Sequence, residues 1–273
     1  HPDLVLRAGR DLLAWLHDPD RDDFWLFDRL IESERSLGLR STFLFAAVAS
    51  HGASGSRHDV HYDLGWPRFR SLLATLRGLE VEIGLHASYG AHRSAARLAA
   101  ERRRVEELAG VTVAGVRHHY WHLGADPDAT LRAHEEAGLS YDSSLAFNDR
   151  PGLRRGIALP FRPWDAALGR PLRVLQLPVL AMDGSLFGDG AGAEAAADEL
   201  WQAIEEVRTV GGLAVLDWHV RASFPANRPF RAWAECYQLT LRRLAAARDL
   251  WVTDLGSIEA WWRRREELLN PHP

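Results

Sequence analysis

The sequence predicts an α/β protein: an irregular (β/α) barrel of about seven mainly parallel strands with helices outside. Three observations carry this. Short β-like apolar runs alternate with longer stretches of helical periodicity, the pattern of right-handed βαβ units. The length of 273 residues suits one barrel, with residues 1–273 forming a single domain. Three of the β-like runs, Val81–His86, Val111–Tyr120 and Leu213–His219, carry histidine at their carboxyl ends, where barrels and open α/β sheets collect their chemistry.

Apolar residues recurring at helical spacing place helices at Leu4–Leu16, Asp23–Leu37, Trp66–Leu79, Arg93–Leu108, Asp128–Ala137, Glu194–Val210, Pro229–Ala247 and Ile258–Leu269. Gly38, Gly138 and Gly211 stand where helix C-terminal caps are expected. Between the helices, the runs Ser41–Val48, Val81–His86, Val111–Tyr120, Ser140–Leu145, Leu172–Leu180, Leu213–His219 and Leu250–Leu255 read as strands. Two stretches break the alternation and read as long functional loops: Ser50–Leu64, rich in Gly, Ser, His and Asp, and Phe147–Pro171, rich in Pro and Gly. Gly184–Gly192 lacks the strand and helix context of a phosphate-binding loop and reads as a plain connector.

A hydrophobic content of 47% with 26% charged residues is ordinary for a globular protein and provides for a sizeable core. All 33 basic residues are Arg, the net charge is -4, and acidic residues interleave with the arginines. Nothing in this points to a nucleic-acid partner; Glu101-Arg-Arg-Arg-Val-Glu-Glu reads as a solvated helix face with i,i+4 ion pairs. Cys236 is the only cysteine, which excludes an intrachain disulfide and a cysteine-based zinc framework. No run approaches the roughly 18–20 apolar residues of a membrane span, and no signal-peptide pattern is present; the expected location is cytoplasmic. The chain starts at His1 and its only Met is Met182, the pattern expected of a fragment or processed form.

The functional reading rests on the strand ends. His86 is followed by Ser88 and Tyr89, Arg117 shares a strand face with His119, and His219 follows Asp217 and Trp218. The ordered runs Ser41-Thr-Phe-Leu-Phe, Glu82-Ile-Gly-Leu-His-Ala-Ser-Tyr89, Arg117-His-His-Tyr120, Tyr141-Asp-Ser-Ser144, Leu177-Pro with Met182-Asp183, and Leu216-Asp-Trp-His219 resemble the polysaccharide deacetylases of carbohydrate esterase family four. The closest likeness is to a divergent branch associated with bacterial surface-polysaccharide synthesis, and it runs from about Trp25 to Leu255. The resemblance implies a divalent-metal-dependent hydrolase, acting on a distorted barrel, that removes acetyl groups from N-acetylated sugars. It makes His86 a metal ligand, Arg117 and Tyr120 parts of the substrate groove, and His219 the general acid.

The chain departs from the family pattern twice. The second ligand histidine, expected four residues after His86, is Gly90. His119, on the face of Arg117, is read as its substitute, with His92 as the rival. The aspartate pair that should end a first strand is also missing, since Asp3 is the only acid before Leu4. That strand is expected upstream of His1, and a piece without it is expected to bind metal weakly and to lack deacetylase activity.

The chemistry also stands on its own terms. Amide hydrolysis needs a strong nucleophile, which a metal supplies by lowering the pKa of bound water to about 7. Neutral imidazoles favour Zn, with Co or Ni as alternatives, and a protonated imidazole can donate to the departing nitrogen. Asp217 could orient His219 or pair with an arginine. Asp142 could orient Arg117 or His219, or form an Asx turn. Asp183 could hold a substrate hydroxyl or Arg117. Ser88, Tyr89, Tyr120, Asp183 and Trp218 are the candidate substrate contacts, with Trp121, Trp164 and Trp218 near the mouth as possible stacking surfaces. His118 faces the other side of its strand as a packed residue, and His51, His58, Asp59 and His61 read as an exposed polar loop. Two other functions stay open: hydrolysis of a small cyclic amide, and a non-catalytic sugar-binding module with a degenerate site.

Overall fold

Five parallel strands form the central sheet of the computed structural model, which describes residues 25–51, 55–187, 190–226 and 228–269. In chain order the elements are α1 (Phe27–Ser36), β1 (Thr42–Phe45), α2 (Pro67–Gly78), β2 (Glu82–Ala87), α3 (Ala95–Ala109), β3 (Gly115–His118), α4 (Pro127–Glu136) and β4 (Tyr141–Asp142). Then come β5 (Trp164–Asp165), β6 (Arg170–Pro171), β7 (Leu175–Gln176), β8 (Val179–Met182), α5 (Ala193–Thr209), β9 (Val215–Asp217), α6 (Arg231–Ala246) and α7 (Leu255–Leu269). The sheet order is β1-β2-β3-β4-β7, with β8 and β9 paired parallel beside it and β5 with β6 in a short antiparallel hairpin.

The predicted alternation of strands and helices is present, and its exceptions have local causes. The single run Leu172–Leu180 is two strands, because Pro178 has no N–H for the ladder: β7 pairs with β4, and β8 pairs with β9. The run Leu250–Leu255 forms no ladder. Its end is held by side chains instead, with Leu255 N–H donating to Thr42 Oγ1 and Gly256 N–H to the Glu82 carboxylate, both at 2.8 Å. The sheet is therefore not closed between β1 and β9 among the described residues. A cavity of about 1480 Å³, lined by Phe43 and Phe45 on one side and Val215 and Leu216 on the other, opens there and reaches the strand ends. The helix expected at Leu4–Leu16 lies outside the described residues.

Gly38, Gly138 and Gly211 take φ of 70°, 75° and 63° just past their helices, as the capping role requires. On one sheet face α2 and α3 bury Leu73, Leu76, Leu98 and Val105 against Leu85 and Val116. On the other flank α5 buries Ala196, Ala197, Leu200 and Ile204 with Leu180 and Ala181 of β8. These packed helices hold the strands in one register, which sets the carboxyl ends of β2, β3, β8 and β9 around a common mouth.

Candidate active site

His86 projects from the end of β2 and is in register with Arg117 on β3. The chain leaves β3 through His119, and the next two residues, Tyr120 and Trp121, take left-handed φ of 57° and 52°. Such a conformation is uncommon outside glycine, and it turns the chain so that the His119 ring meets the His86 ring edge-to-face, with centroids 4.8 Å apart. Burial, then the neighbouring His119, pushes the His86 imidazole down to about 3, and burial also lowers that of His119. Both rings are thus neutral lone-pair donors near pH 7, the form a metal requires.

Opposite them stands His219, two residues past the end of β9. Its Nδ1 lies 2.9 Å from Asp183 Oδ1, and its backbone N–H donates to Asp183 Oδ2 at 2.9 Å. Asp183 follows β8 directly, and Met182 of β8 pairs in register with Asp217 of β9. Neighbouring parallel strands therefore deliver the acid and the histidine to the same end. Burial alone would lower the His219 pKa; the Asp183 hydrogen bond and charge, with Asp217 adding, raise it above its ordinary value. With Nδ1 engaged, Nε2 of His219 is left to hold a transferable proton.

Several expected roles shift. Asp217 does not orient His219; it accepts from Arg117 Nη1 at 2.5 Å. Arg117 is buried and also donates to the Ser143 carbonyl and hydroxyl, at 2.9 and 3.0 Å. It acts as a clamp between β3, β4 and β9 while still lining the cavity beside His86 and His119. Asp142 touches neither Arg117 nor His219. It is fully buried, accepting from the Ser144 hydroxyl at 2.6 Å, the Ser144 N–H at 3.0 Å and Gln176 Nε2 at 2.9 Å, and burial raises its pKa. The Ser88 hydroxyl is buried against Glu101, to which it donates at 2.5 Å, so it cannot reach substrate. Asp183, expected as a substrate or Arg117 contact, is spent on His219. Trp218 packs on Tyr237 at 5.1 Å and donates Nε1 to the Ala222 carbonyl at 2.7 Å, which turns its polar edge inward.

Tyr120 is 61% exposed and tilts against His119 at 4.6 Å. His58 stacks on Tyr89 at 4.4 Å, and Tyr89 stacks on His122 at 4.0 Å. His92 meets His122 at 4.3 Å and belongs to this rim, not to the His86 pair. Asp59 is buried rather than exposed. It accepts from the N–H groups of Tyr89 and Ser56, each at 2.7 Å, and its charge acts on His119. A loop rich in His, Gly and Asp shows no periodicity, so only the proximity of histidine and acid could have marked Asp59. Arg221, two residues past His219, also faces this mouth and carried no sequence signal.

His86 and His119 are the described residues best placed to hold a divalent metal. They supply two imidazoles only: among the described residues, no cluster of three or more His, Cys, Asp or Glu is arranged to hold an ion. The set does not complete a metal site by itself. Among the described residues no helix is long and apolar enough to cross a membrane.

No protein-family model and no curated protein sequence matches the chain. Its fold is similar to that of a crystal structure assigned to a polysaccharide deacetylase from Mycobacterium smegmatis, at 20% identity and a TM-score of 0.59, covering 88% of this chain and 77% of that one. A CE4 family pseudoenzyme from Bacillus anthracis aligns at 7% identity and a TM-score of 0.49, over 88% of this chain and 62% of the other. A family 4 acetyl xylan esterase from Clostridium thermocellum, in complex with a cobalt ion, aligns at 14% identity and a TM-score of 0.45, over 89% and 87%. The first of these establishes the fold: this chain has the fold of the polysaccharide deacetylases.

Proposed function

We propose that the protein is a deacetylase of N-acetylated sugars in a bacterial polysaccharide or its precursor, with His86 and His119 contributing to a divalent-metal site. The observation that carries this is the Asp183–His219 dyad facing the His86–His119 pair across one mouth, in a fold shared with a polysaccharide deacetylase. Amide cleavage needs a proton delivered to the departing nitrogen, and His219, its Nδ1 held by Asp183, gives it from Nε2 in this reading. A bound metal would polarise the acetyl carbonyl and activate water. Within the chain, Asp183 orients His219, while Arg117 fixes Asp217 beside it. The exposed ring of Tyr120 and the large open cavity suit a sugar better than a small cyclic amide.

The test is acetate release from N-acetylated oligosaccharides by the full-length protein in the presence of zinc or cobalt. Release abolished by His219→Ala supports the reading. A second reading, a sugar-binding module, is favoured by the incomplete donor set among the described residues; glycan binding with no acetate release would establish it and overturn the first.

A further inference from the structure

Among the described residues, a cation beside His219 stands without a carboxylate partner, while the acids around it are committed elsewhere. Asp183 is engaged by His219, Asp217 by Arg117, and Asp59 by the backbone of Tyr89 and Ser56. Arg221 lies in the short turn Val220–Ala222 after β9 and lines the same cavity as His119 and His219. It has no carboxylate partner among the described residues; its guanidinium rests over the Phe230 ring at 5.3 Å. Of the other arginines lining that cavity, Arg40 is paired with Asp254 at 3.3 Å and Arg117 with Asp217. The Arg221 charge nevertheless reaches the working groups, since it acts on both His119 and His219.

A half-buried guanidinium with no carboxylate beside it keeps its donors available to a ligand entering the cavity. Its planar fork matches the paired oxygens of a carboxylate or phosphate, and stacking on Phe230 holds the fork in place. We propose that Arg221 is a specificity determinant that receives an anionic group, phosphoryl or carboxyl, carried by the N-acetylated sugar. This rests on the deacetylase reading and narrows it: the substrate is an acidic glycan or an activated, phosphate-linked sugar rather than a neutral one. The anion would sit within reach of Arg221 while the acetyl group faces His86, His119 and His219.

The test is calorimetric binding of three probes to the full-length protein: N-acetylglucosamine, N-acetylglucosamine 1-phosphate and N-acetylglucosaminuronic acid. One or both anionic sugars should bind roughly 10- to 100-fold tighter than the neutral sugar, the worth of a charge-assisted contact. The phosphate and carboxylate arms distinguish the two sources of charge. That ratio should collapse toward one in Arg221→Gln and persist in part in Arg221→Lys, which also covers the case in which the Gln variant fails to fold. Equal binding of all three sugars, an undiminished preference in Arg221→Gln, or no binding of any probe would overturn the proposal. Arg221-dependent anion preference without acetate release would sink the deacetylase reading alone. Acetate released equally from neutral and anionic sugars would sink this inference alone.

Discussion

Asp183 grips His219 twice, once through the ring Nδ1 and once through the backbone N–H, each at 2.9 Å. The double contact fixes the ring orientation and the proton on Nδ1 together, because a carboxylate acceptor selects the Nδ1–H tautomer when the imidazole is neutral. Asp183 is 1% exposed, so little water competes for it. Asp183→Asn should lower kcat for acetate release by roughly 10²- to 10⁴-fold, the usual worth of positioned acid–base catalysis. The pH profile separates this from a structural effect. Asp183 and Asp217 raise the His219 pKa above its ordinary value, and an acid catalyst is lost as it deprotonates, so activity should fall as pH rises through that pKa. In Asp183→Asn that falling limb should move to lower pH; an unmoved limb would show that another group is the acid.

The ring pair gives a metal prediction that needs no turnover. His86 and His119 meet at 4.8 Å, whereas His92 packs on His122 and hydrogen-bonds the Tyr89 carbonyl through Nδ1 at 3.1 Å. Cobalt binding, followed by visible absorption, should be lost in His119→Ala and retained in His92→Ala. The reverse pattern would make His92 the ligand and His119 a packing residue.

The strand ends were legible in the sequence because alternation and apolar runs are local signals. The capping glycines were legible because positive φ nearly demands glycine. The pairing of acids with their partners was not. Asp183 meets His219 only because β8 and β9 are neighbours, and β8 begins only after Pro178 splits one apolar run into two. Consecutive strands are often adjacent, and β8 and β9 follow that rule. Asp142 too lies at a strand end, but Ser144 and Gln176 close around it, and its bond from the Ser144 N–H is the Asx turn that stood as the alternative to an orienting role. The Arg117–Asp217 pair spans a sequence separation of 100 residues, and nothing local announces such a contact.

That pair should behave as a structural clamp. Arg117 is 6% exposed at its side chain and Asp217 20%, so the pair is largely but not wholly desolvated. Removing one partner of a fully buried pair costs about 3–5 kcal/mol, and water at Asp217 reduces this to roughly 2–4 kcal/mol for Arg117→Met. Urea unfolding would measure it. Arg117→Met with Asp217→Leu should recover part of the loss, because no charge is then left unpaired.

Gly115 is needed where β3 passes the Tyr141 ring. A Cβ there would lie 1.8 Å from Tyr141 Cζ, and Tyr141 cannot retreat easily because its hydroxyl donates to Glu82 at 2.8 Å. Gly115→Ala should therefore cost at least the roughly 1–3 kcal/mol of an overpacked core. Gly115→Ala with Tyr141→Ala should be less destabilised than the two single losses added, which chemical unfolding of all three variants would show.

Behind the site, His118 and His134 share a contact between their Nε2 atoms at 2.8 Å, and the Nδ1 atom of each is buried without a hydrogen-bond partner. Burial holds each pKa at about 3, so both rings are neutral in the fold, one donating its Nε2–H to the bare Nε2 of the other. In the unfolded chain each titrates near 6.5. Between those values the unfolded chain binds protons that the fold refuses, so stability is full above about pH 6.5 and falls as pH drops toward 3. The thermal midpoint should decline steadily from pH 6.5 to 4. A His118→Leu, His134→Leu double variant, which removes both titrations, should show a shallower decline over the same range. An equal slope in both proteins would place the acid sensitivity elsewhere, with His86, which burial also pushes down to about 3, the next group to test.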